Sequence, residues 1–278
     1  MTAVVAGAIS HPFTAFGGAR CEVIACDATD GDVSALVADT YAFEQQLTRF
    51  DPASELSRFN RSAGTRTAVS PLLEELLHVA LNAYALSDGL VTAACLPALV
   101  AAGYDRTITE VQRRGRAREH RDVGPPPALP DALHVGAGWA RLDAGCAIDL
   151  GGVGKGWLAD RLCERFDNAV VNLGGDIRVR GGGPDGAGWS VALCDGQIVS
   201  ALEAGIATSG TLGRRWSGGH HLIDPRTGSP SATDITIVSV VAGSAAHAEV
   251  LAKAACLLGS TQAASWLQAH GWAWHALR

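Results

Sequence analysis

A chain of 278 residues, 47% hydrophobic and 18% charged, carries enough apolar material for one large domain or two small ones, and this composition excludes a disordered or fibrous class. A net charge of −6 argues against a general nucleic-acid binder, whose affinity rests on excess Lys and Arg. No apolar run approaches the roughly 20 residues of a membrane span. The N-terminal MTAVVAGAISHPF lacks a basic leader, and seven scattered cysteines without a CxxC pair suit a reducing compartment better than a disulfide or zinc framework. The expectation is a cytoplasmic protein with no catalytic thiol, no nucleic-acid partner and no membrane insertion.

In chain order, loose alternation from Thr14 to Cys26 predicts a strand, and the cluster Asp27–Asp32 caps a helix over Val33–Leu47 with Leu36, Thr40, Phe43 and Leu47 on one face. Ser54–Arg58 fits either a short capped helix or a polar surface turn, of which the turn is the more ordinary. Pro71 starts a helix that runs to Ser87 on Leu72, Leu73, Leu76, Leu77, Ala80 and Tyr84. The alanine-rich Leu90–Tyr104 must kink or split at Pro97. From Asp105 to Gly138 the arginines 106, 113, 114, 116, 118 and 121 precede Pro125-Pro126-Pro127, which reads as an exposed helix plus a stiff loop, an insertion or linker over 105–138.

The stretch Ala147–Gly182 organises the chain. An apolar run ending in Asp149, which reads as a strand, enters the glycine turn Gly151–Gly156, and a helix follows on Trp157, Leu158, Leu162 and Phe166. A second run, Ala169–Leu173, meets Gly174-Gly175-Asp176 and continues as the alternating strand Ile177–Arg180. Glycines admit a ligand close to backbone N–H groups, and a helix start adds partial positive charge, so a phosphate or pyrophosphate is the natural guest, with Lys155 beside it. Neither the GxGxxG nor the GxxxxGK[ST] spacing is present. Beyond it, Trp189–Leu193 and Gln197–Leu202 pair through Asp195-Gly196, and Ile235–Val241 precedes a buried helix over Ser244–Leu258. Between them, Thr208, Ser209, His220, His221, Asp224 and Arg226 crowd a turn-rich region, the kind of place where catalysis sits. Glu249 and Lys253 stand one helical turn apart, a spacing at which they can satisfy each other; inside a buried helix unpaired charge is costly, so a ligand or partner for them is the other reading.

The blocks SELSRFN, SDGLVTAACLPALV, IDLGGVGKGWLAD, VNLGGDIRVRG, IATSGTLGRRW and HLIDPRTGSP stand in one order over about Arg49–Gly259. Together they resemble the FAD:protein FMN transferases, the ApbE-like flavin transferases. The resemblance implies an α+β fold, one T-fold-like domain over residues 1–278 with mixed sheets flanked by helices and a central flavin-nucleotide cleft. It also implies transfer of FMN from FAD to a Thr or Ser hydroxyl of an acceptor flavoprotein, with release of AMP and Mg²⁺ assistance. Thr92, Asp149 and Lys155 then match flavin-nucleotide contacts, Gly174, Gly175 and Asp176 the second glycine turn, and Gly152 a backbone metal ligand. Thr208, Ser209, His221 and Asp224 match the catalytic side, with His221 the base and Asp224 orienting the imidazole or its loop.

Two departures stand out against that family. Val91-Thr92-Ala93-Ala94 replaces the usual Phe-Asp-Pro-Thr, and Glu249 and Lys253 replace an aspartate and a threonine that act as metal ligands. A glutamate can still bind a hard cation, whereas a protonated lysine cannot ligate one. One expectation is that the Lys253 ammonium takes over the charge of Mg²⁺ at the pyrophosphate. The alternatives are a flavin-binding protein without transfer activity, or a hydrolase giving FMN and AMP.

Overall fold

The strands Ala169–Leu173 and Asp176–Arg180 form the central hairpin of a seven-stranded sheet, joined by Gly174 and Gly175 at φ 70° and 98°. Two successive positive φ angles make the tight primed turn that matches the twist of antiparallel strands, and glycine adopts them without a Cβ penalty. The structure is a computed structural model that describes residues 7–115, 121–270 and 273–277. Arg116 and Arg118 of the basic run, and the first six residues of the N-terminal stretch, lie outside the described residues. Packing groups the chain into two compact units, Met1–Glu44 with Gly154–Gly210 and Asp234–Arg278, and Gln45–Val153 with Thr211–Thr233.

In the first unit the sheet runs Ala8–Ala15, Ala19–Cys26, Ala169–Leu173, Asp176–Arg180, Glu203–Gly210, Ile237–Ala242 and Ala273–Leu277, with every neighbouring pair antiparallel. Alternation then sorts side chains by face. Ile177 and Val179 turn to one side, where Cys26, Val170 and Ile206 join Trp189, Val191 and Leu193 in a core cluster. Burial of each large apolar side chain there is worth roughly 1.5–3 kcal/mol. The hairpin of Trp189–Ala192 with Ile198–Ala201 supplies that cover, as its Asp195-Gly196 turn predicts. Asp176 and Arg178 turn to the opposite face, where the helices Gly154–Cys163 and Ala245–Leu258 pack.

Asp160 fixes those two helices to each other. Its carboxylate accepts from the N–H of Ala245 at 2.8 Å and of Ala246 at 2.9 Å, the orphan donors at the start of the second helix. Burial pushes the Asp160 carboxyl up from its ordinary range. A Cβ on Gly156 would lie 2.6 Å from the Ala245 carbonyl oxygen, so glycine sets the closeness of the crossing.

The second unit is built on the helix Pro71–Leu86, capped by Ser70 and buried through Leu73, Leu76, Leu77, Ala80 and Ala83. Ser54–Arg58, taken above as more ordinarily a turn, opens a helix over Glu55–Arg61. The physical reason is capping: Ser54 accepts from the Ser57 N–H at 3.0 Å, and Glu55 fastens the helix by accepting from Ser70 N and Oγ, each at 2.7 Å. Leu90–Tyr104 splits as expected into a 3₁₀ turn, Ala93–Cys95, and a helix, Leu96–Ala101, with Pro97 in its first turn. Within 105–138, the helix Ile108–Arg113 carries a capping box, and Val111, Leu129, Ala132 and Leu133 are buried. Leu133–Gly136 belongs to an antiparallel sheet with Trp139–Leu142 and Thr67–Ala68.

The apolar run before the glycine turn is not a strand. The Asn60 side chain takes the place of a neighbouring strand, donating to the Ile148 carbonyl at 2.9 Å and accepting from its N–H at 2.8 Å. Among the described residues no helix is long and apolar enough to cross a membrane.

Candidate active site

In the first unit, four of the charged residues singled out from the sequence converge. Lys155, one residue into its helix, donates through Nζ to Asp176 Oδ2 at the head of the strand Asp176–Arg180 and to Glu249 Oε1 at 2.9 Å. Lys253, one turn beyond Glu249, donates to the same Oε1 at 2.9 Å, and the Gly156 N–H donates to Oε2 at 3.0 Å. Glu249 is fully buried, and only 12% of the Lys155 side chain and 14% of that of Lys253 reach solvent. Burial disfavours the Glu249 charge, but Lys155 and then Lys253 overcome it and hold the carboxyl well below the usual range. Asp176 goes the other way: burial, then the Glu249 charge, push it up to about 6 against the pull of Lys155.

The expected amide cradle is largely spoken for by the protein itself. Gly151 N–H donates to Asp149 at 2.8 Å, Gly156 to Glu249, Gly174 to the Arg20 carbonyl at 3.1 Å and Gly175 to Asn172 at 2.9 Å. Positive charge at the Glu249 carboxylate therefore comes from the two ammoniums. Next to the turn, the Thr208 N–H donates to the Gly175 carbonyl at 3.0 Å, and the Thr208 hydroxyl lies 2.8 Å from that of buried Ser239. Ser209 is buried, its carbonyl accepting from the Cys256 thiol at 3.6 Å.

The family resemblance implies Mg²⁺, and Glu249 tests whether the side chains fit it. Mg²⁺ demands oxygen ligands in near-octahedral array. Here the buried carboxylate already carries two ammoniums and an amide. A dication about 4 Å from an ammonium would meet roughly 8 kcal/mol of repulsion at an effective dielectric near 20, and two ammoniums stand at this carboxylate. The donor set fits two ammoniums and does not fit a divalent cation at Glu249.

In the second unit, Asp149 is anchored by a residue that the sequence reading passed over. Arg49 Nε donates to Asp149 Oδ2 at 2.8 Å, and its guanidinium carbon lies 4.2 Å and 4.4 Å from the ring centroids of Phe50 and Tyr104. The only sequence signal was its place five residues before SELSRFN. Thr92 caps the 3₁₀ turn, accepting from the Ala94 N–H at 3.2 Å, and the Asp149 N–H donates to the Ala93 carbonyl at 2.9 Å, so Thr92 and Asp149 are neighbours through that turn. Gly152 lies in the turn after Asp149, half-buried.

The histidine pair divides into a structural and a catalytic candidate. His220 Nε2 lies 3.0 Å from the Ser231 carbonyl, and its Nδ1 accepts from the Leu222 N–H at 3.3 Å, which requires the neutral Nε2–H tautomer. Burial holds its pKa down in keeping with that. His221 is half-buried, with its N–H donating to the Arg214 carbonyl at 3.2 Å. Both Asp224 oxygens accept from Arg226, from Nε at 2.9 Å and Nη2 at 2.8 Å, and Oδ1 also accepts the Arg226 N–H at 2.9 Å. Of the two roles expected of Asp224, this geometry serves the orientation of the loop. Burial disfavours the thiolate of four cysteines, pushing Cys21 up to about 11 and Cys95, Cys163 and Cys256 up to about 12.

Comparison with known proteins bears on what such an arrangement is for. The model of the ApbE family matches residues 18–275. The chain is 29% identical over 246 residues to an FAD:protein FMN transferase of Chlamydia trachomatis, covering 80% of this chain and 74% of that one. It is 35% identical over 141 residues to an FAD:protein FMN transferase of Treponema pallidum, covering 42% and 39%. Its fold is that of the apo Pseudomonas stutzeri flavinyl transferase ApbE, with a TM-score of 0.80 at 21% identity over 97% of this chain and 92% of that one. A Thermotoga maritima ApbE protein superposes with a TM-score of 0.78 at 19% identity, covering 96% and 94%.

Proposed function

The chain belongs to the ApbE family, and from that premise we propose that it transfers the FMN portion of FAD to a Ser or Thr hydroxyl of an acceptor protein. The acceptor oxygen forms a bond to the FMN phosphorus, the diphosphate P–O bond breaks, and AMP leaves with the bridging oxygen. The hydroxyl proton passes to a base, and His221 is the residue suited to take it near neutral pH. The departing AMP phosphate gains negative charge in that step, and preorganised cations are what stabilise it.

The observation that carries the reading is the convergence of Lys155 and Lys253 on one buried carboxylate, in the same unit as the Gly174-Gly175 turn. The Lys253 ammonium, fixed at 2.9 Å from Glu249, needs no reorganisation as charge develops on a diphosphate. In this reading Gly174, Gly175, Asp176, Thr208 and Ser209 serve the nucleotide in the first unit, the family resemblance adds Thr92, Asp149 and Gly152 as contacts from the second, and Asp224 holds the His221 loop. The free thiols suit a reducing compartment, and we place the protein in the cytoplasm.

Incubating the purified chain with FAD and candidate acceptor proteins tests the proposal, with AMP and an FMN-sized mass gain on the acceptor as the expected result. FAD bound without AMP would make it a flavin-binding protein, and AMP without an adduct would make it a hydrolase.

A further inference from the structure

We infer that this chain handles the FAD diphosphate without a divalent cation at Glu249, the Lys253 ammonium supplying the positive charge there. The inference rests on the flavin-transfer reading and adds the identity of its cation. Glu249 Oε1 accepts from both Lys155 and Lys253, and Oε2 accepts from the Gly156 N–H, so the one buried carboxylate of this helix is committed within the fold.

The two ammoniums do different work. Lys155 is held between Asp176 and Glu249, which makes it the internal counter-ion of two buried carboxylates. Lys253 has Glu249 as its hydrogen-bond partner among the described residues, leaving N–H donors of its ammonium for an incoming anion. A protonated amine cannot ligate a metal, but as a compact point charge it suits a phosphate oxygen. Glu249 fixes its position by accepting from it one turn earlier on the same helix, so the charge is preorganised. In the transfer step it neutralises charge on the diphosphate oxygens as AMP departs, and it neither gains nor loses a proton.

The test uses the full chain after exhaustive chelation. FAD affinity, read by quenching of flavin fluorescence, and AMP release with an acceptor protein are measured in EDTA and in millimolar magnesium chloride. The expected result is the same affinity and the same rate in both. Lys253→Met should lower FAD affinity by at least about tenfold in either buffer, and Lys253→Arg should retain most of it. Lys253→Thr should make affinity rise on adding magnesium. Turnover or FAD binding by the unaltered chain that disappears in EDTA and returns with magnesium would overturn the inference, as would unchanged affinity in a folded Lys253→Met variant. Should FAD bind in EDTA and depend on Lys253 while no acceptor is ever modified, the cation assignment stands and the transfer reading falls. Absence of FAD binding in either buffer ends both.

Discussion

Arg49 and Asp149 lie 100 residues apart in sequence and 2.8 Å apart in space, with only 5% and 17% of their side chains exposed. The guanidinium packs against the faces of Phe50 and Tyr104, and its Nη2 is buried with no hydrogen-bond partner among the described residues. A buried charge pair of this kind is costly to break on one side, because the remaining charge stays out of water. Arg49→Met should lower the stability of the chain by about 3–5 kcal/mol in urea unfolding. Arg49→Lys should recover only part, since an ammonium lacks the planar face that packs on the rings. A Met variant within about 1 kcal/mol of the parent would show that Asp149 is well solvated without Arg49.

The same logic applies with greater force to Lys155, which faces two carboxylates, Asp176 and Glu249, that are 4% and 0% exposed. Lys155→Met leaves both to repel each other in the interior. Loss of about 3–5 kcal/mol is expected, and Asp176→Asn in the same chain should restore a good part of it. Additive losses in the double variant would mean that Lys155 and Asp176 do not act on each other.

Local signals made much of this legible in the sequence. Gly174-Gly175 between an apolar run and an alternating one gave the central hairpin, and Ser70-Pro71 gave the start of its helix, because turn and cap chemistry act over a few residues. What local pattern could not reveal was partnership at long range. Lys155 meets Glu249 across 94 positions, and Asn60 clamps Ile148 across 88, so that an apolar run that reads as a strand is held instead by one amide side chain. Glu249 and Lys253 were visible as an odd pair on a buried helix, but Lys155 as their third member was not. The role of Asp224 was open for a related reason: Arg226, two residues on, takes both of its oxygens, a contact that spacing permits without requiring.

His221→Ala tests the proposed base. Loss of a general base costs about 10²–10⁴-fold in rate, and FAD affinity should stay as in the parent. The paired control is His220→Gln, which removes the imidazole bonded to Ser231 and Leu222 and should show itself first as a lower melting temperature. A drop in FAD affinity for His221→Ala with the rate from bound FAD intact would make His221 a ligand contact.

Asp224 gives a pH dependence with a definite sign. Burial alone would raise its carboxyl, but the hydrogen bonds from the Arg226 side chain and N–H outweigh that and hold it below the usual range. A folded-state pKa below the unfolded value of about 3.9 means that the stabilisation is present above that pH. It is lost as pH falls through the folded value. Asp224→Asn should therefore be less stable than the parent at neutral pH and should lose stability less steeply below about pH 4. Parallel stability curves for the two chains over the acid range would exclude the ion pair as their cause.

Gly156 ties packing to the charge cluster. A Cβ there would lie 2.6 Å from the Ala245 carbonyl oxygen and 2.9 Å from the Ala246 Cα, both backbone atoms of the facing helix, while its N–H donates to Glu249 at 3.0 Å. Within a helix, Gly→Ala would by propensity alone stabilise by about 1 kcal/mol. The contact must reverse that sign, because the two helices can part only by stretching the Gly156–Glu249 bond and the Asp160 caps on Ala245 and Ala246. Overpacking of this type costs about 1–3 kcal/mol. Gly156→Ala should then melt at a lower temperature and bind FAD more weakly than the parent, since any shift of the helix Ala245–Leu258 moves Lys253 with it. A variant that melts higher and binds FAD unchanged would mean that the crossing is loose and that Lys253 does not depend on it.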